Sequence, residues 1–213
     1  PEYSVRVMNE RAVRAAAGLL FFAALVSFMN AWLVGNFQPT RVFVVCFLIE
    51  FGIRLLVNPR FAPVMILGAW MVRNQVPEWT GAPQKRFAWG IGLVLAVTML
   101  NLVVINQVVG PINMIVCALC LGLLFFETAF GICVGCKIYN AFNQEQAQLC
   151  PGGACVLPPD QVRRLSLAQG AILLGYAVAV VFSALWVYDT MPSRARAFSA
   201  QSDPSPSAPA AAT

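Results

Sequence analysis

The sequence predicts an all-α membrane protein: a bundle of about five transmembrane helices plus a short interfacial or re-entrant helix. Three observations carry that expectation. Hydrophobic residues make up 59% of the 213-residue chain and charged residues only 11%, where a soluble domain is nearer a quarter charged. The apolar residues come in blocks too long for ordinary core helices. The basic residues fall mainly at alternate ends of those blocks, as membrane topology requires. A net charge of +5 is then no sign of nucleic-acid binding, because in such a chain the placement of basic residues matters more than their sum.

The elements follow in order. Residues 1–14 are polar and are expected to form a cytoplasmic N-terminal segment. No small-x-small cleavage site is visible there, so no cleavable signal peptide is expected, and a start at Pro1 fits loss of an initiator Met. Apolar runs then predict helices near 15–33, 42–57, 87–105, 112–134 and 167–187. At 1.5 Å per residue, all but the second cross a hydrocarbon layer of about 30 Å. The second is short and charged, and needs its flanks or local thinning of the bilayer. A sixth run, Phe61–Val72, follows the turn signal "NPR". Its length suits an interfacial or re-entrant helix better than a span.

Counting basic residues decides the parity. With five spans and the N-terminus inside, Arg6, Arg11, Arg14, Arg60, Arg73, Lys85, Arg86, Lys137, Arg163 and Arg164 lie inside, and Arg41, Arg194 and Arg196 outside. A sixth span would move half of the inner set out, against the positive-inside rule. The expected location is therefore a bacterial inner (cytoplasmic) membrane, N-terminus in and C-terminus out. The transmembrane domain covers 15–190 with a Cys-rich cytoplasmic loop at 133–166. The Ser/Pro/Ala-rich stretch 191–213 is an extended or disordered tail on the outer side.

Four of the seven cysteines lie together. Cys133, Cys136, Cys150 and Cys155 have the spacing C-x2-C-x13-C-x4-C. Two Cys pairs joined by a loop can close a tetrahedral thiolate site. Zinc is the expected metal, with an iron–sulfur cluster less favoured. The Pro-Gly-Gly turn of "CPGGAC" brings the second pair together. The same four thiols can instead carry thiol or sulfur redox chemistry. Two considerations weigh on that reading. A reducing cytosol disfavours structural disulfides. The first pair also falls at the C-terminal end of the predicted 112–134 helix, where the dipole opposes a thiolate. Cys46, Cys117 and Cys120 lie in mid-membrane and read as small apolar residues. The chain has no His, which excludes His-ligated haem and His-based zinc sites within it.

Glu50 and Arg54, at i and i+4, are expected to pair along one face of the second helix and to face protein. Glu127 has no basic residue within four positions. It reads as a proton carrier, an ion ligand, a partner for Arg54 or a protonated hydrogen-bonding group. Asn113, Cys117, Cys120 and Glu127 recur at helical spacing with Gly131, and Asn101 and Asn106 of the third helix are candidates to meet that stripe. Trp79, Phe87 and Trp89 fit an interfacial aromatic belt, with Lys85 and Arg86 at headgroup level serving topology and anionic lipid contact.

The stretches "APQKRFAWGIG", "FETAFGICVGCKIYNAF" and "CPGGAC" resemble a bacterial integral-membrane family catalogued only as a domain of unknown function. The likeness runs from about Asn9 to Cys155. It is sharpest at Pro83, Lys85, Arg86, Phe87, Glu127, Gly131, Cys133, Gly135, Cys136 and Tyr139. The resemblance implies a small helical membrane protein with no established activity and marks C-x-G-C-K-x-Y as a family hallmark. It assigns no catalytic residue, and nothing else in the sequence argues for an enzyme.

The functional expectation is a four-cysteine element at the cytoplasmic face that binds a metal or handles thiol and sulfur redox. A second expectation is a non-catalytic accessory or assembly subunit of a larger respiratory or photosynthetic complex, with other membrane subunits as partners beside the lipid bilayer. A third is a transporter of a small anion or sulfur compound, weakened by the lack of an inverted repeat.

Overall fold

The computed structural model describes residues 7–107, 111–142 and 166–190. The architecture is all-α, with one short antiparallel ladder between β1 (Val7–Asn9) and β2 (Trp79–Gly81). Helix α1 spans Glu10–Leu33, α2 Gln38–Gly52, α3 Pro63–Met71, α4 Ala82–Met99, α5 Pro111–Ala129, α6 Val134–Phe142 and α7 Leu167–Thr190. Four segments are long and apolar enough to cross a membrane: Glu10–Leu33, Pro83–Ile105, Ile112–Ala129 and Leu167–Thr190. They suggest membrane association.

The helices begin where the local chemistry favours it. Asn9 caps α1, its Oδ1 accepting the Arg11 N–H at 3.1 Å, and Glu10 in the first turn complements the helix dipole. That cap starts α1 five residues before the apolar run does. Prolines occupy the first turns of α2 and α3, where a missing N–H costs nothing. Helices α2 and α4 each end in a π-helical segment, Ile53–Val57 and Leu100–Ile105. Helix α2 carries Arg41 and Glu50, and the π-helical segment that follows it carries Arg54, which is a high density of charge for a span.

Helix α1 is the centre of the bundle and packs against α2, α3 and α5. Its buried face is Ala12, Val13, Ala16, Ala17, Leu20, Ala24 and Ser27. Small residues let neighbouring backbones approach, which is what drives association where lipid removes the hydrophobic gain between helices. Phe47, Phe51, Val64, Trp89, Ala96 and Leu124 complete this core from α2, α3, α4 and α5. A smaller cluster of Val44, Met99, Val103 and Val104 closes the opposite end. Helix α7 lies along α2 and α3. It leaves Leu174, Val178, Phe182 and Leu185 exposed, as a lipid-facing helix does.

The short run at Phe61–Val72 is helical over Pro63–Met71 and lies on α1. Its entry is held by Glu50, whose carboxylate accepts the Val64 and Met65 N–H groups at 2.9 and 3.3 Å. The same carboxylate binds Arg54 at 2.8–2.9 Å, so the expected i,i+4 pair exists and caps a second helix. Arg54 also stands over the Phe51 and Trp89 rings, 5.0 and 5.7 Å from their centroids.

Candidate functional site

The end of the bundle where α1 begins holds most of the chemistry. Lys85, in the first turns of α4, is buried to 2% exposure. Its Nζ sits 2.9 Å from Glu10 Oε1 of α1 and 2.9 Å from Glu127 Oε1 of α5. Arg14 approaches Glu10 at 3.5 Å. Glu127 is therefore not an isolated carboxylate, nor does it partner Arg54: its counter-charge comes from Lys85. Lys85 is not a headgroup contact but the buried link among three helices. Two carboxylates share one ammonium, and Arg14 balances the excess negative charge. Arg86, the next residue, is exposed and donates to the Leu55 carbonyl at 3.1 Å.

Trp89, expected in an interfacial belt, is a core residue 2% exposed. It lies one helical turn from Lys85 on the same face of α4. Trp79 lies in β2. Phe87 is exposed and packs on Tyr139 of α6 at 5.5 Å between ring centroids.

The predicted 112–134 helix stops at Ala129. Gly131 adopts φ +64°, and the Ile132 N–H returns to the Phe126 carbonyl at 3.0 Å. This is a left-handed helix stop of the kind glycine favours. The Arg14 guanidinium packs against Gly131 so closely that a Cβ there would collide with it. The chain then restarts as α6. Cys133 precedes the first residue of α6, its Sγ accepting the Cys136 N–H at 3.3 Å and its carbonyl the Lys137 N–H at 3.1 Å. The pair thus stands at a helix N-terminus, reversing the expected dipole: this end favours a thiolate. Cys133 and Cys136 are disulfide-bonded, with Cα atoms 5.1 Å apart. Gly135 between them rests on α4, where an added Cβ would lie 2.7 Å from Ala88 Cβ.

Cys150 and Cys155 lie outside the described residues. Among the described residues, no group of three or more His, Cys, Asp or Glu side chains could hold a metal ion. The residues of the polar stripe expected along α5 are spread over most of its length. Asn113 is buried near the start of α5, its Oδ1 without a partner among the described residues. It stands about 21 Å along the helix from Glu127, at 1.5 Å per residue. Asn101 is exposed, and its carbonyl and side-chain oxygens accept from the amide of Asn106, the residue that caps its π segment. Sequence reasoning missed Glu10 and Arg14 as site residues. Their signal was modest: charges in the first turn of an apolar helix.

These features define an all-α, membrane-type protein with a buried charge cluster and a Cys-x-x-Cys turn at one end of its bundle. The chain belongs to the family described as "Domain of unknown function (DUF4395)", whose model matches residues 8–144. That match takes in Lys85, Glu127, Cys133 and Cys136 and ends before Cys150. No curated protein and no solved structure matches the chain.

Proposed function

We propose that Cys133 and Cys136 are a thiol–disulfide exchange pair at the membrane surface. The observation that carries this reading is the position of Cys133 at the N-terminus of α6, its sulfur accepting the Cys136 N–H. In the reduced state the Cys133 thiolate attacks a partner disulfide, and the partner sulfur leaves and takes a proton. Cys136 then loses its proton and displaces the second partner sulfur, closing the Cys133–Cys136 bond. Two thiols are oxidised and one disulfide is reduced to two thiols. The excess of basic residues toward this end supports the reading that it faces the cytoplasm across a bacterial inner membrane. In that compartment a disulfide is typically transient and catalytic or redox-sensing, not structural.

The test is a redox titration of the purified protein in glutathione buffers, with thiols trapped by a maleimide and mapped by mass. The expected result is a two-electron midpoint for Cys133 and Cys136 between about −120 and −270 mV, the span of exchange-active proteins. A midpoint below about −300 mV would identify a structural bridge. The rival zinc site formed with Cys150 and Cys155 predicts near-stoichiometric zinc and four reduced thiols. That outcome would overturn the exchange reading.

A further inference from the structure

Three further sulfur-bearing side chains border one space in the bundle, away from the Cys133–Cys136 turn. Helix α5 carries Cys117 and Cys120, spaced i and i+3 and so on one face. Both are half-buried free thiols, and both line one cavity of about 40 Å³ between α1, α2, α4 and α5. Met99 of α4, itself 3% exposed, lines the same cavity. The remaining wall is mostly aliphatic and aromatic, including Phe43, Phe47 and Leu121. Two hydroxyls also line it but are already committed as donors: Ser27 donates to the Ala23 carbonyl and Thr40 to the Ser27 carbonyl.

The chemistry of this space selects its occupant. A water needs about 10–15 Å³ of such volume, so the cavity has room for a few atom-sized bodies. A water also needs two to four polar partners, and this lining supplies almost none. No carboxylate or imidazole is present to hold a hard or borderline divalent ion. Zinc calls for four ligands in a tetrahedron, and two thiols with a thioether do not complete that set. Two cysteines and a methionine are the soft donor set that selects Cu(I). Charge agrees. One thiolate and one monovalent cation make a neutral complex, which an apolar cavity in a membrane tolerates far better than a bare ion.

We propose that Cys117, Cys120 and Met99 form an intramembrane site for one soft monovalent cation of the Cu(I) type. On binding, one cysteine releases its proton to solvent and forms the metal–sulfur bond. The second cysteine sulfur and the Met99 thioether complete the contacts. No electron is transferred in the step.

The site is tested with Ag(I), a redox-inert soft probe, on the full-length protein in detergent under anaerobic conditions. Metal retained after gel filtration is counted for the wild type, for Cys117→Ser with Cys120→Ser, for Cys46→Ser and for Met99→Leu. Comparing variants removes any background from the other cysteines. The expected result is one equivalent fewer in the double variant and no loss in Cys46→Ser. Met99→Leu, a volume-conserving change, weakens that equivalent by about tenfold or more, the scale of a disturbed metal shell. Equal retention by wild type and double variant overturns the proposal. So does undiminished affinity in Met99→Leu, which decides the matter even if the double variant fails to fold.

Discussion

Replacing Lys85 by methionine isolates the buried charge cluster. The change keeps the length of the side chain and removes one positive charge. Each Lys85–carboxylate contact is 2.9 Å. At an effective dielectric near 20 that is about 6 kcal/mol of Coulomb attraction per pair. Most of it is offset by the cost of taking three ions out of water, several kcal/mol per ion. Removing the cation does not recover that cost. Glu10 and Glu127, with side chains only 12% and 15% exposed, are left facing each other without the charge between them. Breaking such a group from one side costs about 3–5 kcal/mol. Lys85→Met is therefore expected to lower stability by that amount, read as a shifted unfolding midpoint in an SDS titration from mild detergent micelles. Adding Glu10→Gln and Glu127→Gln removes the orphaned charges and is expected to restore most of the loss. A single variant within about 1 kcal/mol of wild type, the scale of an exposed pair, would refute the reasoning. A triple variant no better than the single one would refute it equally.

Two further outcomes follow from the packing. Glu50→Gln removes the counter-charge of buried Arg54 and weakens the cap on α3, costing about 3–5 kcal/mol. Limited proteolysis is expected to cut faster in the Asn58–Ala62 turn. Gly135→Ala puts a methyl group into Ala88 and costs about 1–3 kcal/mol by overpacking, seen as a lowered melting temperature, whereas Gly122→Ala, with open space around it among the described residues, raises the melt slightly, by the roughly 0.5–1 kcal/mol that alanine gains over glycine in a helix.

Helix order was legible in the sequence because apolar runs report it directly, and the Glu50–Arg54 pair was legible because its partners lie one turn apart. The Lys85 links were not, since Glu127 and Glu10 are 42 and 75 residues away and on other helices. Even so, one signal was present. Lys85 and Trp89 share a helix face, while Arg86 and Phe87 lie off it. Spacing alone separates a buried pair from an exposed one there, and reading "KRFAW" as a single interfacial belt merged the two. The end of α5 was misplaced for a related reason. Hydrophobicity continues from Phe130 through Val134, so the apolar run does not mark the stop. Gly131 does, through a left-handed turn that periodicity cannot see.

The charge cluster and the cysteine turn are parts of one construction. Glu10 and Arg14 belong to α1, Lys85 to α4 and Glu127 to α5, and the same three helices fix the turn. Arg14 of α1 closes over Gly131, Ala88 of α4 supports Gly135, and the Phe126 carbonyl of α5 holds Ile132. On the exchange reading proposed above, such a pair needs its backbone held while its sulfurs separate and rejoin, because a functional site works from geometry already in place. The 5.1 Å Cα spacing lies within the range a disulfide requires, and the turn is held by contacts at Gly131, Ile132 and Gly135 that do not involve the sulfurs. A buried ammonium between two carboxylates is an expensive way to join helices if stability is the only gain, since apolar residues of the same volume often do as well. Its use here is better accounted for by fixed orientation. Lys85 pins α1, α4 and α5 in one register, and that register presents Cys133 at the start of α6.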